Sequence, residues 1–313
     1  GSGKSELLRT LVLGLIITHS PAELNLVLVD FKGGATFLGF DTLPHTAAVI
    51  TNLEEEAVLV ERMYDAISGE MNRRQEQLRR AGSFANVDDY NAAANTREDL
   101  EPMPALVIVL DEFSEMLGQH PDFADLFVAV GRLGRSLHIH LLLASQRLEE
   151  GRLRGLDSHL SYRIGLKTFS AAESRQVLGV TDAYHLPAQP GAGFLKSDVD
   201  SVSRFQASYV SGPVSRRVEL EHVPQQVRLF TGWDEATPGE VVIEHGEETL
   251  ISAVVTLAVA AGAARGLSAH RIWLPPLPAE VSIGMVAEDV GELAANIGII
   301  DRPYHQRQDP LVV

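Results

Sequence analysis

The sequence predicts an α/β fold: an open, mostly parallel sheet with helices against its faces. Leu26-Val27-Leu28-Val29 and Ala105 to Leu110 are unbroken apolar runs, each followed by an acid, Asp30 and Asp111. Continuous apolar runs of this length suit strands buried on both faces of a parallel sheet. Between them lies a long stretch with apolar residues at helical spacing, and strands that alternate with helices build a parallel arrangement. With 313 residues and 45% apolar content, the chain can bury a large core without an outside staple.

Glu6 to Thr18 follows a glycine-rich turn and carries Leu7, Leu8, Leu11 and Leu13 at helical spacing, so a helix packed on the sheet is expected, broken by Pro21. Leu26 to Val29 is the next strand, and Ala47-Ala48-Val49-Ile50 a weaker one. From Glu54 to about Ala81 the chain reads as one amphipathic helix, with Val58, Met63, Ile67, Met71 and Leu78 inward, ended by Gly82. Residues 82 to 104 are polar and poorly periodic, a loop with a short helix, and Pro102 and Pro104 lead into the strand Ala105 to Leu110. A helix from about Phe123 to Leu137, a strand from His138 to Ala144 and a strand from Tyr162 to Lys167 follow. Beyond Gly193-Phe194-Leu195 the pattern shortens to β-like pieces, Phe205 to Val210 and Val241 to Ile243, then an alanine-rich helix near 250 to 265. The compact unit, 1–273, is expected to end near Trp273. The proline-rich stretch from Leu274 (Pro275, Pro276, Pro278) makes 274–313 a stiff connector, whose closing Asp309-Pro310-Leu311-Val312-Val313 could begin a strand of a following domain.

Composition narrows the function. The 26 Lys and Arg against 42 Asp and Glu leave a formal charge of −16. That repels a phosphate backbone, whose binding rests on clustered cations, so nucleic acid is an unfavoured partner. The absence of cysteine excludes disulfides, thiolate metal sites and cysteine nucleophiles, and fits a reducing compartment. The longest apolar stretch, Ile251 to Ala264, falls short of the ~20 residues of a bilayer span and reads as a buried helix. No secretory apolar region opens the chain. His45, His138, His140, His159 and His185 lack a ligand spacing such as H-E-x-x-H, so zinc is not expected, and no nucleophile triad is recognisable.

The chemistry concentrates in a few short motifs. Gly1-Ser2-Gly3-Lys4-Ser5 matches the second half of the P-loop pattern. There, glycines let backbone N–H groups wrap phosphates, the lysine reaches the β and γ oxygens and the serine binds Mg²⁺, with the following helix dipole helping to hold the anion. The strand Leu106 to Leu110 then delivers Asp111 and Glu112 at its carboxyl end, about 107 residues after Lys4. Alone, such a strand end is common. Joined to the Gly-Lys-Ser turn it has Walker B character: Asp111 would hold the Mg²⁺ shell and Glu112 would polarise the attacking water as general base. Both motifs predict a RecA-like P-loop NTPase core that binds ATP and Mg²⁺ and hydrolyses ATP. Leu141-Leu142-Leu143-Ala144-Ser145-Gln146-Arg147 is a third strand ending in a polar amide, so Gln146 is either a γ-phosphate sensor or a satisfied strand end, because ligands gather at the carboxyl ends of such strands. Arg132 and Arg135 share one face of the preceding helix. One of them, Arg135 before Arg132 and ahead of Arg62 on the long helix, could serve in trans as an arginine finger; a surface ion pair is the other reading.

Together with Asp30-Phe31-Lys32-Gly33-Gly34, Glu70-Met71-Asn72-Arg73-Arg74, Asp89-Tyr90-Asn91, Asp111-Glu112-Phe113 and Ala144-Ser145-Gln146-Arg147, the run Gly1 to Arg9 resembles the FtsK/SpoIIIE ATPases. Lys32-Gly33-Gly34, Trp273-Leu274-Pro275-Pro276-Leu277-Pro278, Asp301-Arg302-Pro303 and the closing Asp309 to Val313 are similar to one branch, the EccC-type ATPases of type VII secretion. The resemblance covers nearly the whole chain and fits the first of that branch's tandem ATPase units plus the linker toward the second. It implies a hexameric ATPase at the cytoplasmic face of the inner membrane, anchored by segments outside this chain and working with membrane secretion-complex subunits. It further implies export of small helical-hairpin substrates of the WXG100 or PE/PPE type. By that likeness Lys4 is the Walker lysine, Asp111 the magnesium acid, Glu112 the catalytic glutamate and Arg135 the trans arginine. Two rivals remain: a DNA translocase of the same superfamily, which the net charge speaks against, and a nucleotide-gated scaffold of low turnover, in which the 274–313 connector docks on a neighbouring unit and blocks the arginine finger.

Overall fold

The computed structural model describes residues 2–53, 57–148, 155–197, 201–218, 242–282 and 294–313. Four strands, β1 (Leu24–Asp30), β2 (Thr46–Thr51), β3 (Ala105–Asp111) and β4 (Ile139–Ala144), form one sheet in the order β2-β1-β3-β4, and every neighbouring pair is parallel. β1 is buried along its whole length, which explains why it carries no polar alternation. In register, Asp30 stands beside Asp111 and Asp111 beside Ala144, so three strand ends meet at one rim.

Helices cover both faces. On one side α2 (Ala57–Arg80) and α5 (Phe123–Leu137) bury Val60, Met63, Ile67, Phe127 and Val130 against Val27, Val29 and Ile108. On the other, α1 (Lys4–Thr18) sets Leu8, Val12 and Ile16 against Leu26, Leu28 and Val109. The expected inward face of the long helix needs one correction. Val58 is 72% exposed while Val60 is buried, because the apolar stripe runs 60, 63, 67, 71 and 78 and position 58 lies off it. The expected start at Glu54 lies outside the described residues.

The short helix expected in 82 to 104 is α3 (Val87–Ala94), capped by Asn86, whose side chain accepts from the Asp89 N–H. Two further helices carried too few periodic residues to be read from sequence, α4 (Phe113–Gln119) and α6 (Ala171–Leu178). Beyond the main sheet, β5 (Arg163–Leu166), β6 (Ala192–Lys196) and β7 (Val202–Gln206) make a small antiparallel sheet, and β8 (Pro213–Val218) pairs antiparallel with β9 (Val242–Thr249). The strand expected from Phe205 to Val210 thus stops at Gln206, and residues 207–212 run along α1 instead.

The alanine-rich helix α7 (Leu250–Arg265) is not the buried helix its apolar content suggests. One stripe, Ile251, Val254, Val255 and Ala258, packs beside α1, while Leu257 is 69% exposed. Composition reports how apolar a helix is, and only neighbours decide what covers it. Among the described residues, no helix is long and apolar enough to cross a membrane.

Residues from the expected connector fold back on α2. β10 (Asn296–Arg302) and β11 (Arg307–Val312) form an antiparallel hairpin. Arg62, buried on α2, bonds the Asp301 carboxylate and the Leu274 carbonyl and lies 5.5 Å from the Trp273 ring centre. Lower on the same helix, Gln306 Nε2 donates to Glu70 Oε2 at 2.8 Å. Glu70 also receives Arg73 and the buried Arg74, which in turn donates to the Leu137 carbonyl at 2.8 Å. Burial alone would raise the Glu70 carboxyl, but Arg73, Arg74 and Gln306 hold it down to about 2 against an ordinary 4.5.

A folded value below the unfolded one means that this stabilisation is present above pH 4.5 and lost as pH falls toward 2. The span corresponds to about 3 kcal/mol. Glu70→Gln, which strands Arg74 beside a neutral partner, is expected to cost about 3 kcal/mol in urea melts at pH 7. The gap to wild type should narrow as pH is taken down through that window; a gap that stays constant would show that the charge of Glu70 is not what stabilises the helix pair.

Candidate functional site

The glycine-rich turn at the start of the chain is held from outside by a second glycine. Gly3 caps α1 in the left-handed region (φ 93), and a Cβ there would lie 2.6 Å from the Gly191 nitrogen. Gly191 N–H donates to the Ser2 carbonyl at 2.9 Å, so the turn ahead of β6 braces this loop by direct backbone contact. Gly1 lies outside the described residues.

Lys4 opens α1, and its ammonium reaches the carboxyl end of β3. Lys4 Nζ donates to Asp111 Oδ1 at 2.5 Å and to Glu112 Oε1. All three side chains are nearly buried, at 14%, 5% and 6% exposure. Glu112 takes a left-handed backbone (φ 60) before α4 begins, a strained conformation for a residue with a side chain and one that clusters at functional sites. Burial pushes the Asp111 carboxyl above its ordinary range and the neighbouring Glu112 charge adds to this, against the opposing pull of Lys4 and Thr36. A lysine shared by two buried acids is therefore the electrostatic centre of the rim.

Thr36 completes this cluster, and the sequence reading missed it. Its hydroxyl donates to Asp111 Oδ2 at 3.1 Å and lies 3.4 Å from the Ser5 hydroxyl. The available signal was its place six residues after Asp30, in the loop that opens Asp-Phe-Lys-Gly-Gly; a lone threonine in a loop follows no periodicity. Arg9 anchors the same loop by donating to the Thr36 carbonyl at 2.9 Å and to the Ala35 carbonyl at 2.5 Å. Beside it, Glu6 accepts from Val210 N–H at 2.6 Å, Ser211 N–H at 2.8 Å and the Ser211 hydroxyl at 2.7 Å. Burial would raise the Glu6 carboxyl, and the Ser211 and Val210 donors bring it below its ordinary value. Asp30 is buried next to Asp111, and its Oδ2 has no hydrogen-bond partner among the described residues.

The remaining expected residues divide. Gln146 is brought to the rim through its backbone, whose N–H donates to Glu112 Oε2 at 3.3 Å, while its side chain is exposed. Arg135 and Arg132 are exposed on α5 and stand apart from Lys4. The end of α5 leads into the start of β4, where Leu106 N–H donates to the His138 carbonyl, and this places Arg135 at the opposite rim, about 20 Å away along the strands. Arg62 is taken by Asp301 and is not offered to a neighbour. Two other quoted motifs are structural: Glu70 to Arg74 form the charge cluster on α2, and Asn91 exchanges two bonds with the Met103 backbone while Tyr90 donates to the Glu101 carbonyl.

Ser5, Thr36 and Asp111 supply hard oxygens, the donor type that Mg²⁺ takes. Among the described residues, no group of three or more His, Asp or Glu could hold a metal alone. This donor set fits an ion that takes one or two protein oxygens and completes its shell from phosphate and water, as Mg²⁺ does in nucleotide sites.

A parallel α/β sheet with a glycine turn, a lysine and a paired-acid strand end at one rim defines a P-loop ATPase, and the chain belongs to the FtsK/SpoIIIE family, whose model matches residues 1–150. Within that family it sides with the EccC ATPases of type VII secretion. It is 53% identical, over 99% of its length, to the ESX secretion system protein EccC of Thermomonospora curvata, and 53% identical over 100% of its length to the ESX-4 secretion system protein EccC4 of Mycobacterium tuberculosis. The solved cytoplasmic domain of the Thermomonospora curvata type VII secretion ATPase EccC superposes with a TM-score of 0.82 at 52% identity, covering 100% of this chain and 34% of that one. The chain spans 25% and 26% of the length of the two relatives.

Removing the Thr36 hydroxyl should leave a buried Asp111 oxygen short of a donor. Thr36→Val is expected to destabilise the protein by about 1 kcal/mol, and to cost much less in an Asp111→Ala background. Urea melts of the two single variants, the double variant and wild type measure this coupling; additive costs would remove Thr36 from the cluster.

Proposed function

We propose that this chain is the ATP-binding and hydrolysing unit of a protein-export motor, with 1–273 as its ATPase domain and 274–313 as the linker toward a following unit. The observation that carries the reading is the contact of the Lys4 ammonium with both Asp111 and Glu112 at the rim where three strand ends meet. In this reading the backbone of Gly1, Ser2 and Gly3 cradles phosphate, and Lys4 exchanges its two carboxylates for the β and γ oxygens of ATP. Ser5 and Asp111 hold Mg²⁺, which when bound neutralises charge on the phosphates. Released from Lys4, Glu112 orients and deprotonates the attacking water, and the Gln146 strand end holds Glu112 in place through its N–H. Arg135, exposed and remote from its own site, serves the neighbouring subunit of a homo-hexamer.

The identity to EccC proteins over nearly the whole chain supports a place in type VII secretion, at the cytoplasmic face of the inner membrane and anchored by segments outside this chain. There the motor works with other ATPase units and membrane secretion-complex subunits to export helical-hairpin proteins of the WXG100 or PE/PPE type. The net charge of −16 speaks against the DNA-translocase alternative. A low-turnover, nucleotide-gated unit is the second reading; it has the connector dock on a neighbouring unit, whereas residues 296–312 seat on this chain's own α2 through Asp301 and Gln306.

In the full-length protein, Glu112→Gln is expected to bind ATP but lower turnover by at least about 100-fold; equal turnover in variant and wild type would favour the gated scaffold. Arg135→Ala should lower turnover by about 1,000-fold in the assembled state and leave ATP affinity unchanged. Mixing Arg135→Ala with Glu112→Gln subunits should recover part of the activity, because one interface type then joins an intact site to an intact arginine. No recovery on mixing would count against a trans role for Arg135.

A further inference from the structure

Residues 207–212, which join β7 to β8, are strapped to the first turns of α1. The Ser208 carbonyl accepts from Thr10 Oγ1 at 3.0 Å, and the Val210 and Ser211 N–H groups meet the Glu6 carboxylate. Arg9 Nη1 adds a bond to Ser211 Oγ at 3.1 Å. Val210 is buried in the core cluster that holds Leu8 and Val12, yet the residue before it, Tyr209, is 71% exposed. A large aromatic ring left in water beside a fixed backbone calls for an explanation.

Gly212 explains how the ring is kept in place. A Cβ at Gly212 would lie 2.8 Å from Tyr209 Cε1, with Cδ1 and Cζ the next atoms, so the ring lies against bare backbone that only glycine leaves open. Glu6 and Thr10, the anchors of this segment, lie about 3 Å and 9 Å along the helix axis from Lys4. Asp111 and Glu112 meet the Lys4 ammonium directly, whereas Gly191 bonds Ser2 and Ala207, and the 208–211 segment bonds Thr10, Glu6 and Arg9. A triphosphate with its γ end at Lys4 and the acids leaves its sugar and base free to lie toward this segment.

We propose that Tyr209 is the stacking platform for the nucleobase, so that the nucleotide is gripped by its phosphates at Lys4 and by its base at Tyr209. This rests on the nucleotide-site reading above and adds the part that separates a nucleotide from bare phosphate. Aromatic stacking accepts any base through its π face and favours large ones, so purine triphosphates should bind best, with modest discrimination among them. A ring already held over Gly212 loses little freedom when the base lands on it.

The test compares Mg-ATP with inorganic tripolyphosphate, which carries no base, binding to the full-length protein. Tyr209→Ala is expected to weaken ATP by about tenfold or more, the scale of one base stack, and to hold tripolyphosphate as wild type does. Tyr209→Trp should keep ATP affinity, and Gly212→Ala, whose new methyl meets only the ring, should weaken ATP in the same direction as Tyr209→Ala. Equal loss of both ligands in Tyr209→Ala, or loss of neither, overturns the platform. Lys4→Ala separates the two readings. If it loses both ligands while Tyr209→Ala loses neither, the platform alone falls. If Lys4→Ala keeps both ligands, the phosphate site is misplaced and the platform falls with it.

Discussion

One buried charge cluster organises the rim of this molecule: an ammonium on α1 held between two carboxylates at the end of β3. Two acids side by side in a dry rim repel, and burial penalises each of them, so a cation must reach them. Lys4 can reach only if α1 starts where it does, which fixes the glycine turn, the brace at Gly191 and the strand order that puts β3 between β1 and β4. The same electrostatics that hold the acids against Lys4 suit the rim to a polyphosphate bound together with a divalent cation, because that exchange swaps one set of paired charges for another.

Around this centre the chain is tied at two further places, and both ties use charged side chains. On the α1 face, Glu6 and Arg9 stitch the loop that carries Thr36 to the segment that carries Tyr209, so parts of the chain about 175 residues apart in sequence report to one helix. On the opposite face, Arg62 and Glu70 seat the late hairpin on α2. The two ties differ in reach. The first borders the candidate site directly, while the second lies across the sheet from it, on the helix layer that also holds Arg135.

Much of the fold was legible because the central strands are buried on both faces. A strand in that position has no polar side to confuse its pattern, and both β1 and β3 stand where their apolar runs placed them, with Asp30 and Asp111 at the rim. The lysine and the acid pair were legible for a related reason: the chemistry tolerates few other residue types in those roles. Thr36 and Tyr209 were not, since one is a single hydroxyl in a loop and the other a single ring on a connecting segment. Val58 and α7 were misjudged because counting apolar residues does not identify the neighbour that would cover them.

The sequence by itself determined the sheet, its acidic strand ends and the glycine-lysine turn, because these follow from local burial pattern and from residue chemistry at short range. Tertiary structure decided which distant groups share a charge: that Arg62 belongs to Asp301, that Glu112 is steadied by the backbone of Gln146, and that Arg135 stands at the rim opposite Lys4. Such pairings depend on where separate elements dock, and docking is set by shape and burial summed over the whole chain, which no short stretch of residues encodes.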